Sequence, residues 1–114
     1  MLDSMRLLSQ CMLFSGLSEE QLAELYGITS KRCCRRGAVI FREAEAGIGF
    51  YIIASGKVKV FKTSPEGKEQ ILHIFGPGEP IGEVPVFHGQ PYPANAAALS
   101  EAELYFFPRQ RFVA

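Results

Sequence analysis

Two hydrophobic periods divide the chain. Before about residue 30 the apolar positions recur at helical spacing. Met5, Leu7, Leu8, Cys11 and Met12 form a loose apolar face, and Leu22 and Leu25 lie three residues apart. Phe14-Ser-Gly-Leu17 interrupts the run. Ser18 suits an N-cap, Gln21 three residues on completes a capping box, and Gly27 suits a helix stop. Two short helices are predicted, at about 5–13 and 19–26. Beyond residue 30 the period falls to two, and the eleven glycines and seven prolines cut the chain into short segments. That is the pattern of an all-β barrel or sandwich.

The predicted strands follow one another closely. Lys31–Arg36 reads as a polar edge strand, Val39–Phe41 as a short strand and Phe50–Ile53 as a continuous apolar one. Lys57–Lys62 alternates, with Val58 and Val60 on one side. Ser64-Pro-Glu-Gly67 then places Pro and Gly where a type I turn favours them, and Gln70–Phe75 returns. A glycine-rich loop leads into Glu83–Phe87, long enough for one helical turn with Pro85 in it. Ala94–Leu99 and Glu103–Phe107 are the last strands, and Pro108 opens a helical segment at Arg109.

Length and composition then bound the function. The 114 residues support one domain. Apolar residues at 47% and charged residues at 21% exclude a disordered chain. Twelve Lys and Arg balance twelve Asp and Glu, so the chain lacks the cationic surplus of a free-standing nucleic-acid binder. No apolar run is long enough to span a bilayer, and the first residues lack the apolar core of a signal peptide. Membrane partners are therefore not expected. Cys11, Cys33 and Cys34 form an odd set without metal-type spacing, which points to free thiols and a cytoplasmic location. The basic run Lys31–Arg36 reads as a charged edge, and thiols inside it are candidates for lowered pKa values. The nine Phe and four Tyr residues are expected to fill the core.

The candidate chemistry lies between Gly76 and Ala98. A short helical turn flanked by glycines presents free backbone N–H groups to an anion, and Glu83 at its start can instead accept a hydroxyl. The run Ile71-Leu-His-Ile-Phe-Gly-Pro-Gly-Glu-Pro-Ile-Gly-Glu83, with Val86-Phe87 and Ala94 beyond, resembles the phosphate-binding cassette of cyclic-nucleotide-binding domains. Phe50-Tyr-Ile-Ile-Ala-Ser-Gly-Lys-Val-Lys-Val60 is similar to a strand pair of that family, Pro65–Glu69 to its hairpin turn, Gly37–Phe41 to its first barrel strand, and Leu13–Leu25 to its N-terminal helices. Nearly the whole chain resembles the sensor domain of CRP/FNR-type bacterial transcription regulators, and Gly89–Ala94 is similar to the denitrification and nitrosative-stress branch.

The resemblance implies a mainly β fold: a double-stranded β-helix (jelly-roll) barrel with short N-terminal helices and a one-turn cassette helix. Residues 1–30 would be the helices, 31–108 the barrel, and 109–114 the start of a truncated dimerisation helix. It also implies a ligand site at Gly82, Glu83 and Val84, with Glu83 on a ribose hydroxyl, Tyr92, Pro93 and Ala94 on the far side, and Val60, Leu72 and His73 on the strands. The implied partners are a small-molecule or haem effector, DNA through a helix-turn-helix outside this chain, and a second copy in the full-length homodimer, weakly held here.

One departure bears on the effector. Cyclic-nucleotide binders carry Arg and then Ser or Thr where this chain has Tyr92-Pro93. Tyr92 is neutral, Pro93 has no N–H, and no Lys or Arg lies between Lys68 and Arg109. Cyclic AMP is therefore expected to bind weakly or not at all, and a neutral or apolar effector to suit the pocket. Haem would need an axial ligand, for which His73 and His88 are the only histidines. A single N-terminal cysteine excludes an iron–sulfur cluster. A cupin-like metalloenzyme is the competing reading, and two histidines fifteen residues apart serve it poorly.

Overall fold

The computed structural model describes residues 16–111. The predicted helix at 5–13 and residues 112–114 lie outside that range. Helix α1 spans Glu19–Gly27. Its capping box forms as the local sequence dictates: Ser18 Oγ accepts from the Gln21 N–H at 3.2 Å, and Gln21 Oε1 accepts from the Ser18 N–H at 2.9 Å. Glu19 and Glu20 then meet the positive end of the helix dipole. Gly27 does not take the left-handed stop expected of it. It is the last helical residue, and the turn closes with the Ile28 N–H on the Leu25 carbonyl and the Thr29 N–H on the Tyr26 carbonyl. Leu22 is buried, and Leu25 and Tyr26 pack beside it against the core.

Eight strands follow: β1 Ser30–Cys34, β2 Val39–Phe41, β3 Gly49–Ser55, β4 Val58–Thr63, β5 Glu69–Phe75, β6 Pro80–Ile81, β7 Asn95–Ala98 and β8 Ala102–Pro108. Helix α2, Glu83–His88, lies between β6 and β7, and a 3₁₀ turn at Arg109–Arg111 ends the described chain. The strands form two four-stranded antiparallel sheets, ordered β1-β8-β3-β6 and β2-β7-β4-β5. The fold is mainly β, as expected, but the sheets do not close into a barrel. They pack as two layers, and Phe50, Ile52, Ile53, Leu104 and Phe107 are completely buried. The Phe50 and Phe107 rings stack at 4.8 Å. In the second sheet Ala96, Ala97 and Ala98 are buried too.

The β4–β5 hairpin has the predicted turn, with the Gly67 N–H on the Ser64 carbonyl at 2.9 Å. Its register is not uniform. Phe61 pairs with Ile71, yet Val60 pairs with His73 and Val58 with Phe75, so a bulge at Leu72 shifts the strand by one residue. β1 is the charged edge that its basic sequence predicts, with Lys31 on Glu103 at 3.2 Å and Arg32 over the Phe106 ring. Cys33 is exposed; the Cys34 thiol departs from the expectation, because burial raises rather than lowers its pKa.

Candidate functional site

α2 forms because Glu83-Val-Pro-Val-Phe-His88 is bracketed by two glycines in the left-handed region. Gly82, the N-cap, has φ 77°, and no side chain caps the turn. The N-terminal N–H groups of Glu83 and Val84 therefore have no side-chain cap, and Pro85 has no N–H. Beside this end lies a cavity of about 170 Å³ lined by Phe41, Val60, Phe75, Ile81, Gly82, Glu83, Val84, Pro85, Pro93 and Ala94. Larger depressions of about 490 Å³ lie along Cys33–Arg35 with Glu101–Glu103 and around Pro108–Gln110. The cassette cavity is smaller but mostly apolar, the property that distinguishes ligand pockets.

Six of the residues singled out in the sequence meet here: Val60, Gly82, Glu83, Val84, Pro93 and Ala94. Tyr92 stands one layer back. It is buried, its ring stacks on Phe41 at 3.9 Å, and its hydroxyl donates to the Gly49 carbonyl. Burial, with Tyr51 beside it, pushes the Tyr92 phenol up to about 12. Leu72 and His73 are exposed on β5 and do not line the cavity. His88 is exposed at the far end of α2. Phe41, Phe75, Ile81 and Pro85 also line the cavity, although the sequence did not single them out as site residues. For Phe75 the signal is the β4–β5 register, which sets it opposite Val58.

The cavity contains no cationic side chain. Glu83, partly buried, is its one ionisable residue. Among the described residues, no three of His, Cys, Asp and Glu converge as a metal site requires, and no helix is long and apolar enough to cross a membrane.

Comparison with known proteins agrees with this architecture. Residues 31–114 match the family described as the cyclic nucleotide-binding domain. The chain is 33% identical over 102 residues to the cyclic AMP receptor protein of Thermus thermophilus, covering 90% of this chain and 47% of that protein. It is 34% identical over 95 residues to a CRP-like cAMP-activated global transcriptional regulator of Mycobacterium tuberculosis, covering 83% of this chain and 42% of the other. The chain thus spans about half the length of these curated relatives. The sensor domain of the transcriptional regulator DNR from Pseudomonas aeruginosa superposes with a TM-score of 0.88 at 32% identity, covering 96% of this chain and 74% of that one. The chain belongs to the cyclic nucleotide-binding domain family, as a sensor domain of the CRP/FNR regulator type.

Proposed function

We propose that this domain senses a small, uncharged effector in the cassette cavity and passes its binding on to segments beyond β8. It works by binding rather than by catalysis, in the cytoplasm. DNA contact belongs to a helix-turn-helix outside this chain, within a homodimeric regulator. The observation that carries the reading is the cavity beside the N-terminus of α2, apolar on most sides and without a cation. A cyclic phosphate brought there would surrender its hydration without a counter-charge, and would approach the Glu83 carboxylate. Loss of a charge-assisted, bidentate contact costs about 2–4 kcal/mol, roughly two to three decades of affinity.

Haem does not fit this cavity. His73 and His88 are both exposed and neither lines it, so the described lining offers no histidine ligand. The volume of about 170 Å³ also lies below the roughly 300 Å³ at which pockets for drug-sized ligands begin. A small molecule fits the cavity as it stands. Isothermal calorimetry with cyclic AMP tests the reading. The expected result is binding no tighter than about 100 μM, two decades above a micromolar site. Low-micromolar binding to the unaltered chain would overturn it.

A further inference from the structure

The cavity wall has a second anchor that no cassette motif points to. Arg109, the first residue after β8, extends its side chain to the C-terminal end of α2. Its Nε donates to the Val86 carbonyl at 2.9 Å, while its own N–H donates to the Ile48 carbonyl at 2.9 Å. Val86 is completely buried, and its carbonyl also receives the Gly89 N–H at 3.3 Å. The Gln90 N–H returns to the Pro85 carbonyl at 2.8 Å, so the end of α2 is wound shut in a left-handed glycine turn. Gly89 suits the turn because its φ is 65°, and a Cβ there would lie 2.9 Å from an Arg109 guanidinium nitrogen, which would have to shift. On the other side, a Cβ at Gly47 would lie 2.8 Å from the Gln90 carbonyl oxygen. The end of α2 is thus held between the 44–49 loop and Arg109.

The opposite end of α2 is the cavity wall, with Gly82, Glu83, Val84 and Pro85 all in the lining. Six helical residues span about 9 Å, short enough to move as one rigid piece. A hydrogen bond of 2.9 Å is lost by about 3.6 Å. A displacement of α2 by under an ångström therefore breaks the Arg109 contact. The cationic head also complements the negative end of the α2 dipole, which favours the closed position.

We propose that Arg109 is a positioning residue: it latches α2, and with it the cavity wall, to the segment that leaves β8. Displacement of that wall by about an ångström would part the latch and free the 109–111 turn. The proposal rests on the cavity being the effector site, but its test uses no effector. A cyclic AMP result that overturned the site would leave the latch measurement standing, and the reverse also holds.

The test compares Arg109→Met, which keeps the apolar stem without donors, with Arg109→Lys, which keeps a charge, in the whole chain. Hydrogen exchange at the amides of residues 86–90 should quicken about tenfold in the Met variant, with Lys intermediate. Lys31→Met, which removes a cation on the opposite sheet edge, should leave those amides unchanged. The chain has no Trp, so Val84→Trp gives a single reporter at the cavity rim. Its emission should shift when Arg109→Met is added. An unshifted emission would overturn the proposal. So would exchange that quickens equally in the β4–β5 hairpin, since that is general loss of stability rather than release of a latch.

Discussion

Substituting Tyr92→Phe removes one oxygen and isolates one interaction. Gly49 stands opposite Pro108. The adjacent ladder bond runs from the Arg109 N–H to the Ile48 carbonyl, so the Gly49 carbonyl points away from β8. On that side β6 pairs only with Tyr51 and Ile52, and the Tyr92 hydroxyl takes the place of the missing strand. The Phe variant keeps the stack on Phe41 but leaves a buried carbonyl unsatisfied. The lost bond is worth about 1 kcal/mol and the stranded acceptor about 1–3 kcal/mol, so a destabilisation of roughly 2 kcal/mol is expected. For a chain of this length that lowers the melting temperature by roughly 8 °C. Urea titration at pH 7 should show a lower midpoint at an unchanged slope.

The same residue has an alkaline signature. An unfolded tyrosine loses its proton near pH ~10, whereas folded Tyr92 holds it to about 12. Within that window the folded state binds more protons, so stability falls as pH rises. Tyr51 is also raised by burial, so the Phe variant should lose part of this slope and not all of it. A variant as stable as the parent at pH 7, with the same alkaline slope, would refute the reasoning.

Gly82→Ala forces a Cβ onto a φ of 77° and within 3.1–3.2 Å of the Tyr92 and Phe41 rings. It should cost about 1–3 kcal/mol by urea titration. Phe107→Ala removes half of the Phe50 stack from a fully buried site and should cost about 3–5 kcal/mol, enough to threaten folding when monitored by circular dichroism. Alkylation at pH 8, followed by peptide mass analysis, should label exposed Cys33 before Cys34, whose thiol is half-buried and raised in pKa. Faster labelling of Cys34 would contradict the packing of β1.

The features legible in the sequence were those set by neighbours along the chain. Ser18 and Gln21 are three residues apart and close their capping box without help from the rest of the fold. The Ser64–Gly67 turn and the Gly82–Gly89 bracket around α2 are local in the same sense. Leu72 and His73 show where this stops. Counting back from the turn without a bulge sets Leu72 opposite Val60, on the cavity side. The extra residue leaves Leu72 unpaired and sets Phe75 opposite Val58, since in a strand a one-residue shift exchanges the two faces; His73 comes opposite Val60 but lies exposed against the Phe75 ring, outside the cavity lining. Tyr92 was misplaced for another reason. An aromatic at the phosphate position can stack beneath Phe41, whereas the charged side chain it replaces would face the ligand. Arg109 left no sequence signal, because its partner is a backbone carbonyl on another element.

The position of β8 bears on how the protein is made. β8 is the last of these eight strands to be synthesised, yet it lies inside its sheet, between β1 and β3, with Ser30 opposite Phe106 and Phe50 opposite Phe107. The hairpin alone can form as it leaves the ribosome. β1 and β3 emerge long before the strand that joins them, and the edge of β3 that pairs with β8 stays unpaired until residue 107 is free. Folding from the N-terminus is therefore closed to this sheet. Until β8 emerges, the nascent chain carries Phe50-Tyr-Ile-Ile53 without its β8 partner, and an unpaired apolar strand of this kind is prone to aggregate. Closing such distant pairs should also make refolding slow for the chain's length.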